Sequence, residues 1–389
     1  MRFFVGGYTA DKGGAATGIG ALRAGEPGAV LAGGQLSYAD AVRTTGSPSW
    51  LAWHPTLPVL YAAMEGSGSV RAWARIGEES FVGLGSAVAA GGSVCHVAVA
   101  PDGRWLVASS YDDGSVVRIG LDARGALGSA TIGAAAVDPY AGSGTQGASE
   151  PSGLIDVPEP PRERTAMESL VALLSAADEP AMPPPAGDSA RRSLAHHTRF
   201  TPGGLVSTDL GFDQVRIWDT RDGRLRERQR VALPQGTGPR HTLWHPSGHL
   251  YIVTEHSDEL FVLRPGPDGL WSFVGGAPLL GAQPGADFAA EIAMSRDGRF
   301  VYAGLRGSNT ISVVQVHGDG ADLRSVALIE SGVDWPRHHV LERDTLLIAG
   351  ERSNDIVSLA IDERTGVPGR VRHRVSAPSP ACLLADAVG

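Results

Sequence analysis

GPRHTLWHPSGHLYIVTEHSDELFVLRPG, from Gly238 to Gly266, reads as three short strands joined by tight turns. The first strand, Arg240 to Trp244, runs into His245-Pro246-Ser247-Gly248, a cluster of turn formers. Leu250 to Thr254 is β-rich and stops at Glu255. After a polar break, Glu259 to Leu263 alternates loosely. The pattern recurs as SWLAWHPTLPVLYAAMEGSGSVRAWARI from Ser49 and CHVAVAPDGRWLVASSYDDGSVVRIGLD from Cys95. It recurs again as HHTRFTPGGLVSTDLGFDQVRIWD from His196, AEIAMSRDGRFVYAGLRGSNTISVVQV from Ala290 and RHHVLERDTLLIAGERSNDIVSLAID from Arg337. Short strands repeating with a period in the forties mark the blades of a β-propeller.

The two ends of the chain supply one further blade between them. Arg2 to Tyr8 and Gly18 to Ala24 match second and third strands, with no first strand before them. Pro380 to Ala385 matches the opening of the other copies, so the last strand is expected to close the ring in the first blade. First strands at Ser49, Cys95, His196, Arg240, Ala290, Arg337 and Ala381 predict a single all-β, seven-bladed propeller over 1–389. Candidate fourth strands include Ser80 to Ala87 and Leu225 to Leu233. The interval between Cys95 and His196 is about twice the others, and its surplus, Ser129 to Ser193, is rich in Pro, Gly and Ser. We read it as an inserted loop. Thr165-Ala-Met-Glu168 forms a capping box ahead of Leu170, Val171, Leu173 and Leu174, which predicts a short amphipathic helix at about 165–177. Its apolar face must be covered, by the channel mouth as a lid, by another subunit or by the outside of a blade.

Fifty-two glycines and 26 prolines suit a chain of turns, and 42% hydrophobic content suffices for a large core. A net charge of -9 gives nucleic-acid binding no electrostatic support. Two cysteines, Cys95 and Cys382, imply no disulfide framework. The start, MRFFVGGYTADKGG, enters a strand directly, and no apolar run is long enough for a membrane span, so a cytoplasmic location is expected. There is no Gly-rich loop before a helix, no HExxH and no G-x-S-x-G elbow. No cofactor and no metal are therefore expected.

Inner strands line a propeller channel and their neighbours run antiparallel, so the start of strand one meets the end of strand two at one face. Strand-one starts are Ser49, Cys95, His196, Arg240, Ala290, Arg337 and Ala381; strand-two ends are Tyr8, Glu65, Tyr111, Leu210, Glu255, Arg306 and Glu351. Histidine, glutamate and arginine clustered in one concavity are what acid–base chemistry on an anionic substrate requires. An Arg–Glu lattice that only ties blades together is the alternative. His54 and His245, both before proline, and Glu291 and His338, one residue further along their strands, are expected to point away from the channel. The pairs His196-His197 and His338-His339 should likewise split between opposite faces. Cys95 is expected as a small buried group, and Asp209, Gly211 and Asp213 as a turn that caps the neighbouring blade.

FVGGYT, GIGAL, SPSWLA, LYAAME, DLGFDQV, GPRH and the LRGSN after SRDGRFVY together resemble the bacterial 6-phosphogluconolactonase family of seven-bladed propellers, which also includes the fungal carboxymuconate-lactonising enzyme. The resemblance spans nearly the whole chain outside 129–193. It implies functional residues at His196, Arg240, Glu255 and Arg306, the positions also reached from the repeat alignment. Before His196 the sequence SARRSLAHH departs from the family pattern, which places a glutamine there, and it leaves His196 and His197 as alternatives. The activity expected is metal-independent hydrolysis of a sugar-acid lactone, with 6-phosphogluconolactone as the expected substrate. His196 would be the base, oriented or tuned by Glu255, with Arg240 or Arg306 on the oxyanion. Arg337, Glu351, Glu65 and Tyr111 are expected to bind the anionic substrate. The rivals are a lactonising cycloisomerase of a muconate-type dicarboxylate and a non-enzymatic interaction module.

Overall fold

Val59–Met64 (VLYAAM) buries all six of its side chains. A strand with one wet face would alternate; one with both faces covered reads as a continuous apolar run. Val59, Tyr61 and Ala63 pack toward one neighbouring sheet, while Leu60, Ala62 and Met64 pack toward the other. Trp105–Ser110, Phe300–Arg306 and Thr345–Gly350 are buried throughout for the same reason. The computed structural model, which describes residues 1–26, 31–141, 154–155, 191–221 and 223–386, arranges seven such sheets around an axis. Each of the seven apolar clusters lies at one blade–blade junction.

Blade 1 is built from Arg2–Gly7, Gly18–Ala24 and Leu36–Arg43, and its innermost strand is Pro380–Ala385. The closing strand pairs antiparallel with Arg2–Gly7, with Phe3 opposite Ala385 and Val5 opposite Leu383. At Gly6 a Cβ would lie 2.3 Å from the Pro48 carbonyl oxygen, so the blade 1–blade 2 junction closes only around glycine. Ion pairs of Asp386 with Arg75 (2.7 Å) and Arg2 (3.1 Å) hold the end of the closing strand against the ring. Inner strands of blades 2 to 7 are Pro48–Trp53, Val94–Val99, Ala195–Thr201, Pro239–Trp244, Phe288–Met294 and Pro336–Glu342.

The outer strands expected at Ser80 to Ala87 and Leu225 to Leu233 are Phe81–Gly83 and Arg226–Ala232. Leu127–Ile132 is the outer strand of blade 3, so residues 129–132 belong to the ring rather than to the insertion. Leu154–Ile155 runs parallel to Arg226–Ala232 as a fifth strand on blade 4. The helix expected at 165–177 lies outside the described residues.

Side chains repeat as well as strands. His54 Nε2 meets the Gly103 carbonyl of the next blade at 2.9 Å, and His245 Nε2 meets that of Gly298 at 3.0 Å. Those two histidines latch blades together, as expected. In the turn before the third strand, Asp213, Asp258, Asn309 and Asn354 all adopt positive φ of 52–60°. Each accepts a backbone N–H at the entrance to the following blade: Gly238, Ala289, Trp335 and Ser379 respectively. Aspartate and asparagine suit the task because they tolerate the left-handed region and carry a short acceptor.

Candidate active site

The inner strand of every blade bulges at the same height. Register slips between Pro48 and Trp50, Ala195 and Thr198, Pro239 and Thr242, Ala289 and Ile292, and Pro336 and His338. Corresponding slips lie opposite Val94–His96 in blade 3 and opposite Pro380–Cys382 in blade 1. A bulge adds one residue on one strand and re-aims its side chains, so two consecutive residues can face the same side. The channel mouth therefore carries two tiers. The upper is the ring read from the repeats; the lower brings together Trp50, His96, His197, His241, Glu291 and His338, while Cys382 at the same repeat position packs in the apolar junction of blades 1 and 2.

This corrects the expectation that Glu291 and His338 turn away from the channel. Glu291 Oε2 meets His241 Nδ1 at 2.9 Å and His338 Nε2 at 3.0 Å, joining three blades. The Trp50 ring lies 4.4–6.1 Å from the rings of His96, His197, His241 and His338. His196 and His197 do not split either, since both rings contact His241, at 5.1 and 4.8 Å between centroids. His339 does turn outward, its Nε2 meeting the Tyr302 carbonyl at 3.1 Å.

In the upper tier the expected residues form two charge clusters. Glu255 Oε2 lies 2.9 Å from Arg240 Nε and 2.9 Å from Arg306 Nη2. The Arg240 contact is Coulombic and off-line, because Nε makes no hydrogen bond, whereas Nη1 donates to the Ala290 carbonyl at 2.6 Å. Arg306 Nε donates to the Phe288 carbonyl at 3.0 Å. Burial opposes the charge of Glu255, but Arg306 and Arg240 outweigh it and hold the carboxyl below its ordinary range. Burial and then Arg306 bring Arg240 down to about 10. Two arginines against one carboxylate leave one positive charge in excess.

The second cluster is balanced. Arg337 Nη1 lies 3.2 Å from Glu351 Oε2, and Arg337 Nη2 donates to the Tyr8 hydroxyl. Tyr8 donates to Glu65 at 3.0 Å, and Lys12 stands 3.9 Å from Glu65 while donating to Ser93 Oγ at 2.9 Å. Two cations face two carboxylates. Lys12 was missed from sequence because it sits in a short 3-10 turn, Ala10–Lys12, with no counterpart in the other repeats.

His196 stands against Tyr111, edge to face at 5.9 Å, and is buried. Burial first, then Arg240, His241, Arg337 and Arg306, holds it well below the ordinary histidine range, so it is uncharged. Its Nδ1 meets no partner among the described residues. Glu255 is not its orienting group, contrary to expectation: that carboxylate is taken by two arginines. Asp209 and Asp213 hold the loop leading into His196. Asp209 accepts from Ser193 Oγ (2.5 Å) and the Leu194 N–H (2.9 Å), and Asp213 pairs with Arg191 at 2.5 Å. Gly211 lets that loop pass: a Cβ would lie 2.0 Å from the Arg192 carbonyl oxygen. Cys95 is an inert thiol, pushed up chiefly by burial, with the His196 carbonyl 3.4 Å away. Among the described residues no set of three metal-ligating side chains is placed to hold a metal, and no helix is long and apolar enough to cross a membrane.

The profile of the family described as Lactonase, 7-bladed beta-propeller, matches residues 2–385. This chain belongs to that lactonase family. The 6-phosphogluconolactonase of Bacillus subtilis (strain 168) is 26% identical over 364 residues, covering 90% of each chain. A protein of Lactococcus lactis subsp. cremoris (strain MG1363) is 29% identical over 199 residues, which is 49% of this chain and 58% of its own length. In solved structures, a Lactobacillus plantarum protein superposes with a TM-score of 0.75 at 23% identity over 98% of both chains. The periplasmic gluconolactonase PpgL of Pseudomonas aeruginosa gives 0.75 at 19% identity over 99% of both. Family membership makes the class of chemistry lactone hydrolysis.

Proposed function

We propose that the protein hydrolyses a sugar-acid lactone, with 6-phosphogluconolactone as substrate, at the upper tier of the channel mouth. The observation that carries this is the single uncompensated positive charge of Arg240, Arg306 and Glu255, next to a neutral His196. Attack of water on the lactone carbonyl turns that oxygen into an oxyanion. A buried guanidinium pair with one charge to spare stabilises it without reorganisation, which is where such sites gain most of their rate. His196, kept uncharged, accepts the hydrogen bond of the attacking water. Tyr111 bounds the chamber beside it. Arg337 and Lys12 are more exposed than the arginine pair and are matched by Glu351 and Glu65. They suit the distal phosphate, which Arg337 can grip by two donors once its carboxylate shifts. The reaction belongs in a cytoplasmic setting, where phosphorylated sugar acids are made.

The test is lactone loss followed by a coupled dehydrogenase. Arg240→Ala should lower kcat/KM by about 10²–10³. Equal rates for wild type and variant would end this reading.

A further inference from the structure

The lower tier contains a carboxylate that the reaction as described does not use. Glu291 is buried where an unpaired charge is costly, and it is fully engaged. Its Oε1 accepts the Ile292 N–H at 2.9 Å, and its Oε2 faces His241 Nδ1 and His338 Nε2. The next bond in the chain settles the proton positions. The Leu383 N–H donates to His338 Nδ1 at 3.2 Å, so that nitrogen carries the lone pair and His338 Nε2 carries the hydrogen given to Glu291. Glu291 only accepts, so His241 Nδ1 must also carry a hydrogen. The lone pair of His241 is then on Nε2. Both imidazoles are neutral and the carboxylate is ionised.

We propose that Glu291 is a positioning residue of the lactonase reaction, fixing His241 as the Nδ1–H tautomer so that His241 Nε2 receives the proton lost by the attacking water and holds it until the ring oxygen departs. The inference rests on the proposed lactone hydrolysis and deepens it. Two charge environments decide between the histidines. A proton on His196 would add a cation beside Arg240, Arg306 and Arg337, with no carboxylate in contact. A proton on His241 forms an imidazolium 2.9 Å from a carboxylate. Facing His241 are Arg240 on its own strand, Glu291, His338, His197, His196 and His96 from the other blades, and Trp50. Arg199, whose Nε donates to the Thr242 carbonyl at 2.8 Å, is the nearby cation below. Burial keeps His241 uncharged at rest, and Glu291 is the group that favours its charged form. The step balances: hydroxide adds to the carbonyl carbon, the proton goes to His241 Nε2, and the acyl–oxygen bond breaks. The departing ring oxygen then takes that proton as a hydroxyl, while the product leaves as a carboxylic acid that ionises to solvent.

The test uses the full chain. Glu291→Gln should lower kcat by about 10²–10⁴, the usual worth of general base catalysis, with KM within about threefold and an intact circular dichroism spectrum. Glu291→Asp should recover part of the loss. His241→Ala should be partly restored by added imidazole, which a packing role would not allow. Histidine-selective nitrogen NMR of the wild type reads the tautomers without any substrate, and should show Nδ1–H at His241 and Nε2–H at His338. An Nε2–H tautomer at His241 overturns the proposal, as does a Glu291→Gln variant whose kcat stays within threefold of an active wild type. A wild type that opens no lactone refutes the functional reading first and this inference with it.

Discussion

Glu255→Gln should cost stability and tighten anion binding at once. The carboxylate is the shared counterion of Arg240 and Arg306, whose side chains are only 3% and 6% exposed. Breaking a buried ion pair by removing one partner typically costs about 3–5 kcal/mol, because the remaining charge stays buried. Here two like charges are left facing each other, but Glu255 is 15% exposed and water can enter, so the expected cost is nearer about 3 kcal/mol. Unfolding entropy of about 2 cal/mol/K per residue over 389 residues makes that a Tm fall of roughly 4 °C. The uncompensated charge meanwhile rises from one to two. Phosphate should then bind the variant more tightly than the wild type. At a hundred times its Kd it would restore about 2.7 kcal/mol, close to the original Tm. Thermal melts of both proteins across a phosphate series read both quantities. An unchanged Tm, or identical phosphate shifts in the two proteins, would refute the charge accounting on which the oxyanion site depends.

Two further outcomes follow from the ring itself. Burial, then Asp287, raises Asp258 from an ordinary 3.8 to about 7. Between those values the native state holds a proton that the unfolded state has lost, so stability falls as pH rises through the window and is level above it. Asp258→Asn, the residue already present at positions 309 and 354 of the same turn, should remove that slope and stabilise the protein by roughly 1–2 kcal/mol at pH 8, measured by urea unfolding at several pH values. Deleting residues 380–389 strips the inner strand from blade 1 and leaves Phe3, Phe4 and Val5 with an open edge; gel filtration should show aggregate and no monomer.

The ring was legible because its information is local and repeated. Each blade carries the same turn chemistry and the same apolar middle strand, and the split first blade showed up as a missing strand at one end matched by a spare one at the other. Where repetition failed, so did the boundaries. Leu127–Ile132 is rich in small residues and mostly exposed, as an outer strand is, and its sequence does not differ from the Gly- and Ser-rich insertion after it. An outer strand has one neighbour and little to bury, so it leaves a weak trace in composition.

The upper tier was readable and the lower tier was not, for one reason. Strict alternation assigns residue i to the channel and residue i+1 away from it. Each inner strand breaks that rule at its bulge, with the register slip falling at the residue that matters. No glycine marks the spot in PRHT, AEIA or PRHH. The signal that was available is columnar. One position along the repeat reads Trp50, His96, His197, His241, Glu291, His338 and Cys382, far too polar for a place between packed sheets. Four histidines and a carboxylate at a single height can be accommodated only where they meet one another. That column alone requires a second tier facing the axis, and it places Glu291 where two imidazoles can hold its charge.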